Sequence, residues 1–153
     1  MAIALSTAGI RVKYATESTA GTKPSSGFIE IINVVEIPEF GSNINTLDAT
    51  DLAQTKNHKY IPALADTGGS IQLTVNDGDA FRTIWDAAVT AYEGLTGGKK
   101  MWFEYVIPGM TKSFYYPGRP MPLGFGGASV DSVYQNIANI IPEGDYEWDT
   151  AST

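Results

Sequence analysis

Apolar and polar residues alternate with a period of two along much of this chain, the spacing that places one set of side chains on each face of a β-strand. Ile10, Val12 and Tyr14 alternate with Arg11 and Lys13, which predicts a strand over 10–15. The Ser/Thr/Gly-rich stretch from Thr16 to Gly27 reads as a mobile loop. Phe28 to Ile37 reads as one strand with two partly covered faces, Ile29, Ile31, Val35 and Ile37 on one and Phe28, Ile32 and Val34 on the other. Pro38 removes a ladder donor and ends it. Ile71, Leu73 and Val75 alternate cleanly with Gln72, Thr74 and Asn76, which predicts a half-buried strand over 69–76.

The period changes once. Phe81, Ile84, Trp85, Ala88, Val89 and Tyr92 recur at steps of three and four, predicting a helix over about 79–93 whose apolar face lies on the sheet. Asp77 or Asp79 is the expected N-terminal cap, Arg82 and Asp86 are placed as an exposed ion pair, and Gly94, Gly97 and Gly98 stop the helix. Alternation then resumes. Lys100–Ile107 and Lys112–Tyr116 read as an aromatic hairpin turning at Pro108 and Gly109, and Pro117 to Gly127 reads as a loop. Val130–Ile141 reads as a long strand ended by Pro142 and Gly144, and Tyr146 and Trp148 as a short last strand or tail. No repeat period emerges. The expected fold is therefore mainly β, a sandwich or barrel with one flanking helix.

Glu39 to Gly69 fits neither period, and connections longer than about 12–15 residues in a compact domain are usually functional or disordered. Ile44, Leu47, Leu52, Tyr60, Ile61 and Leu64 give it more apolar surface than a solvated loop exposes, so it is expected to pack against something.

Composition narrows the possible functions. A chain of 153 residues with 43% hydrophobic and 18% charged residues suits one folded domain. Ten Lys and Arg against 17 Asp and Glu give a net charge of −7, which disfavours tight binding to nucleic acid or to anionic membranes. The absence of cysteine excludes disulfides, thiolate nucleophiles and Cys-ligated zinc. Met1 to Gly9 has no basic n-region and no window approaches the ~20 apolar residues of a membrane span, so a soluble protein made in the cytoplasm is expected.

Candidate chemistry is sparse. The sole histidine, His58, has no second His, Cys or recognisable Asp partner to orient it as a base. Asn76, Asp77 and Asp79 lack the later Glu of a calcium loop, and the glycines after the helix stand in the wrong order for a phosphate cradle. No metal, cofactor or catalytic residue is assigned. Trp102, Phe103, Tyr105, Phe114, Tyr115 and Tyr116 could form a carbohydrate-stacking platform, but most of them are expected in core or interface, since adjacent strands with aromatics at alternate positions fill a barrel without any ligand. Glu143, Asp145, Glu147 and Asp149 read as a solvated strand face.

One stretch carries a resemblance. Leu47-Asp-Ala-Thr-Asp-Leu-Ala-Gln-Thr-Lys-Asn-His-Lys-Tyr-Ile-Pro-Ala-Leu-Ala-Asp-Thr-Gly-Gly-Ser-Ile-Gln-Leu-Thr-Val resembles the major tail tube proteins of long-tailed bacteriophages. Asp48–Asp51, Tyr60–Leu64 (with Ala63 where glycine is common), Asp66–Gly69, Ile71–Asp77 and the closing Ile141–Gly144 match that family's pattern, so the likeness covers about residues 28 to 149. It implies a tail-tube fold shared with type VI secretion tubes, one domain over 1–153 without a C-terminal immunoglobulin-like extension. It implies hexameric rings that stack into a tube, the conduit through which DNA passes without tight binding. Implied partners are the chain itself, a tape-measure protein, a tail terminator and a distal tail or baseplate protein; the implied location is the virion tail. On this reading Ile44, Leu47, Asp48, Asp51, Leu52, Tyr60 and Ile61 form a ring-stacking loop, and Glu30, Glu36 and Glu104, or some of them, face the lumen, where acidic groups keep a duplex sliding. A carbohydrate-binding or adhesive β-sandwich is the second reading, and an enzyme the third.

Overall fold

The computed structural model describes residues 9–40, 43–48, 60–66 and 70–152. It is mainly β with one helix, in the order β1 (Arg11–Thr16), β2 (Ile29–Ile31), β3 (Val34–Glu36), β4 (Asn43–Asp48), β5 (Tyr60–Asp66), β6 (Ile71–Asn76), α1 (Asp79–Glu93), β7 (Met101–Val106), β8 (Lys112–Pro120), β9 (Gln135–Pro142) and β10 (Glu147–Thr150). The chain divides into two compact units, one of Met1–Pro38 with Ser70–Thr153 and one of Glu39–Gly69.

In the larger unit an antiparallel sheet runs β2-β1-β7-β8-β9-β6-β3 and curls into an open half-barrel, with β10 added along β8. Its core face is laid down by the alternation seen in the sequence. Val12 and Tyr14 of β1 stand opposite Tyr105 and Phe103 of β7, which stand opposite Phe114 and Tyr116 of β8, and all six are buried. Leu73 and Val75 of β6 and Ala138 and Ile140 of β9 continue the interior. The Tyr105 and Tyr116 hydroxyls bond each other at 2.7 Å, and burial pushes Tyr105 up to about 12.

The two edge strands of this sheet are neighbours in sequence. Ile29–Ile31 pairs with β1 at one edge and Val34–Glu36 with β6 at the other. The expected single strand over Phe28–Ile37 is thus broken in two at Asn33, which takes a left-handed conformation (φ 63) where the chain passes from one sheet edge to the other. Its carbonyl accepts from Asn76 N at 2.9 Å, so the break is tied to β6. Asn tolerates this conformation and a β-branched residue does not. Asn33→Val is expected to lower stability by about 1–3 kcal/mol and Asn33→Gly to leave it nearly unchanged, as read by urea unfolding.

Helix α1 buries Phe81, Trp85 and Ala88 and half-buries Ile84, Val89 and Tyr92, packing on β8, β1 and β2. Its N-terminus departs from expectation. Gly78 occupies the cap position with no side-chain cap, because the Asp77 carboxylate is taken by Arg82 at 2.8 to 3.2 Å and by Asn136 at 3.3 Å. Arg82 is therefore paired with Asp77 and not with Asp86. Gly94 closes the helix through a bond from its N–H to Thr90 O, and Gly97 and Gly98 follow at positive φ.

Strand β8 runs on through Pro120, where a loop was expected from Pro117. It changes neighbour partway: β10 lies along Lys112–Tyr115 and β9 along Gly118–Pro120. Pro117 falls between the two, where no ladder donor is required of it on that side, while its carbonyl accepts from Glu143 N at 2.9 Å. Strand β9 begins only at Gln135, later than expected, after Asp131 at φ 64.

In the smaller unit β4 and β5 form an antiparallel hairpin, with Leu47 opposite Ile61 and Asp48 opposite Tyr60. The reading of Glu39–Gly69 as patternless is corrected here. A register shift between Ile44 and Thr46, with Pro62 opposite Thr46, breaks the alternation that would have revealed two strands. Asp51, Leu52 and His58 lie outside the described residues.

Candidate assembly surfaces

Opposite the core face, a row of side chains crosses the sheet in register: Glu30 on β2, Lys13 on β1, Glu104 on β7, Tyr115 on β8 and Glu147 on β10. Chain segments cover the middle of this row. Glu17, 4% exposed, accepts from Lys100 N at 2.8 Å, from Trp102 Nε1 at 2.9 Å and from Gly21 N at 3.3 Å. Burial raises its pKa, but these bonds outweigh burial and hold the carboxyl below its ordinary value. Lys23 sits 3.9 Å from the centroid of the Tyr115 ring and pairs with Asp149 at 2.6 Å and Glu147 at 3.3 Å. The stretch expected as a mobile loop over 16–27 is thus pinned at both residues.

Of the three acids assigned to a lumen, Glu30 and Glu36 are exposed, on the two edge strands. Glu36 also lines a hollow of about 370 Å³ with Ile10, Val34 and Ile37. Glu104 does not reach a surface. It is 0% exposed under the chain after β10, and accepts from Ser152 N and from Tyr115 Oη, each at 2.9 Å, and from Ser152 Oγ at 2.5 Å. Burial raises its pKa, and the bonds from Ser152 and Tyr115 more than offset that. The Tyr115 proton is shared with Thr150 O at 2.6 Å, and burial, with Glu104 beside it, pushes that phenol well up.

The aromatic hairpin is interior. Phe103, Tyr105, Phe114, Tyr115 and Tyr116 are all buried, and half-buried Trp102 spends its N–H on Glu17, so these rings do not form an open stacking platform. The acidic run after β9 is partly engaged as well, through the Lys23 pairs of Glu147 and Asp149, and the Lys23 ammonium holds Asp149 below its ordinary value.

Exposed apolar surface lies elsewhere. Phe125, Val130 and Val133, in the connection between β8 and β9, are 78%, 90% and 71% exposed. The connection is built firmly onto the start of β9. The Phe125 and Tyr134 rings stand 5.6 Å apart, Asn136 Nδ2 donates to Gly124 O at 2.7 Å, and Gly126 lies so close that a Cβ there would meet Gln135 O at 2.0 Å. Beyond it the outward face of β9 presents Ile137 and Ile141 at 45% and 42% exposure, Ile137 opposite Thr74 of β6 and Ile141 opposite Arg119 of β8. Sequence reasoning saw only a Gly/Pro loop and a strand here. A signal was present: residues 121–141 carry one formal charge, Asp131. Exposed apolar surface with so little charge is characteristic of protein–protein contact.

No protein-family model and no curated protein matches the chain. Solved structures do match it. A chain in the cryo-EM structure of the anti-feeding prophage baseplate, 6-fold symmetrised, is 10% identical with a TM-score of 0.67, covering 98% of each chain. A chain in an extracellular contractile injection system, the PVC sheath/tube terminator in the extended state, is 9% identical with a TM-score of 0.60, covering 92% of this chain and 94% of the other. The fold is thus one found in phage-tail-like particles, in line with the coarser part of the resemblance read from the sequence.

Proposed function

We propose that this chain is a non-enzymatic structural subunit of a phage-tail-like particle, located in the tail and, within that class, a tube protein whose copies close into hexameric rings that stack. The observation that carries the reading is the superposition over 98% of both chains on a component of a 6-fold symmetrised baseplate. Heterologous ring closure and stacking need distinct complementary patches on one subunit. The Phe125–Ile141 surface, whose one formal charge is Asp131, supplies one such patch, and the Glu39–Gly69 segment, with Ile44, Leu47, Asp48, Asp51, Leu52, Tyr60 and Ile61, is assigned the stacking role. Glu30 and Glu36 remain the acids offered to a lumen through which DNA slides. Tape-measure, terminator and distal or baseplate proteins would cap and fill the tube, which would be assembled in the cytoplasm of a bacterial host.

Negative-stain electron microscopy of the concentrated protein tests this reading: six-fold rings or tubes are expected, and a monomer at every concentration overturns it. The hairpin's role is tested by a Leu47→Asp, Leu52→Asp variant. It is expected to halt at single rings, and tubes of native length would remove the stacking assignment.

A further inference from the structure

Strand β10 is attached unlike any other strand of the sheet. All four of its residues are exposed, and it pairs only with the Lys112–Tyr115 half of β8. Beyond it, Ala151 N donates to Thr111 O at 3.1 Å and Ser152 reaches under the sheet's outer face to Glu104. Trp148 and Tyr146 each lie 5.2 Å from the Phe114 ring, so this segment is also what shields that ring.

The geometry points to a latch: residues 147–152 form a strap over the β8 edge, and the buried Glu104 carboxylate is the group that holds it closed. A carboxylate with 0% exposure must have its charge met by donors. Two of the donors to Glu104, the N–H and Oγ of Ser152, belong to the strap, while Tyr115 Oη, which also touches Thr150 O, and the Ser113 hydroxyl approach from β8. Lifting the strap removes both strap donors at once. It also bares an aromatic strand edge of the kind that pairs with another chain. Because the anion is the acceptor, each of these bonds is of the stronger, charge-assisted kind. This inference stands on the monomer alone and does not depend on the tube reading.

Other groups around the latch must be separated from it. Lys13 stands opposite Glu104 from β1 with Glu30 beyond it on β2, Tyr115 approaches from β8, Glu147 and Asp149 lie on β10, and Lys23 reaches in from the covering loop. The folded Glu104 pKa is lowered, so its hold is fully present above the ordinary carboxyl range and lost as pH falls through the lowered value. Asp149 is shifted the same way by Lys23. Acid alone therefore does not identify the latch, and variants at neutral pH do.

The experiment is amide hydrogen exchange by mass spectrometry on the intact chain at pH 7. Glu104→Gln places an amide N–H against the Ser152 donors and is expected to speed exchange across 147–152 tenfold or more, while β6 and β9 stay protected. Lys23→Met, which removes only the Lys23 contacts, is expected to change it less than about fivefold. Ser152→Pro removes the strap's N–H and hydroxyl without altering the interior, and is expected to match Glu104→Gln. Strap exchange within twofold of native in Ser152→Pro overturns the proposal, whether or not Glu104→Gln folds. A Lys23→Met effect larger than that of Ser152→Pro also overturns it, by making the ion pairs the fastening.

Discussion

Trp85→Ala is expected to lower stability by about 3–5 kcal/mol, a large share of the ~5–15 kcal/mol that holds a domain of this size together. Trp85 is 0% exposed, its ring stacks on Phe81 at 5.9 Å between centroids, and its Nε1 donates to Met121 O at 2.8 Å. That hydrogen bond joins α1 to the chain leaving β8, where Met121 N in turn donates to Asn139 O of β9 at 2.9 Å. Alanine would leave a cavity under the helix and take the indole donor from the half-buried Met121 carbonyl as well. Trp85→Phe separates the two losses, retaining most of the packing, and is expected to cost about 1–3 kcal/mol. Urea unfolding followed by far-UV circular dichroism reads both without depending on tryptophan emission. A cost below about 1.5 kcal/mol for the alanine variant would mean that α1 does not cover the core.

The helix was legible because its period is long and its interior face unbroken, and β6 because Ile71, Leu73 and Val75 alternate without interruption. The misreadings share a different cause: positions where tertiary pairing overrides local pattern. Apolar residues resume on both sides of Asn33, and a single Asn that tolerates a left-handed turn does not announce that the chain leaves one sheet edge for the other. Pro117 argues against a strand in isolation, and only the exchange of β10 for β9 along β8 makes it acceptable. Glu104 looks like an outward acid by parity, which is correct for its face of the strand. What covers that face arrives from residue 152, a long-range fact with no trace near position 104. The same holds for Asp77, whose capping role was displaced by Arg82 and Asn136.

Gly126→Ala is expected to shift the exposed connection bodily and, with it, to prevent the self-assembly proposed above. An alanine Cβ at this position would lie 2.0 Å from Gln135 O, 2.9 Å from Asn136 Cα and 3.0 Å from Gln135 C. All three are backbone atoms at the start of β9 and cannot swing aside, so the loop must move. Its displacement would break the bond from Asn136 Nδ2 to Gly124 O, and Asn136, which is 4% exposed, also helps hold Asp77. The expected loss of stability is about 1–3 kcal/mol, the usual range for overpacking. Gly124→Ala is the matched control, since nothing lies within 4 Å of its added methyl and its cost should stay within about 0.5 kcal/mol. Both chains should remain folded, so the comparison isolates where Phe125, Val130 and Val133 are held. Sedimentation velocity at increasing concentration distinguishes the two: native-like association in Gly124→Ala with monomers in Gly126→Ala places a subunit contact on this loop, because only the placement of its apolar side chains differs. Equal association in both would remove the loop from the assembly surface and leave the β9 face and the hairpin to carry it.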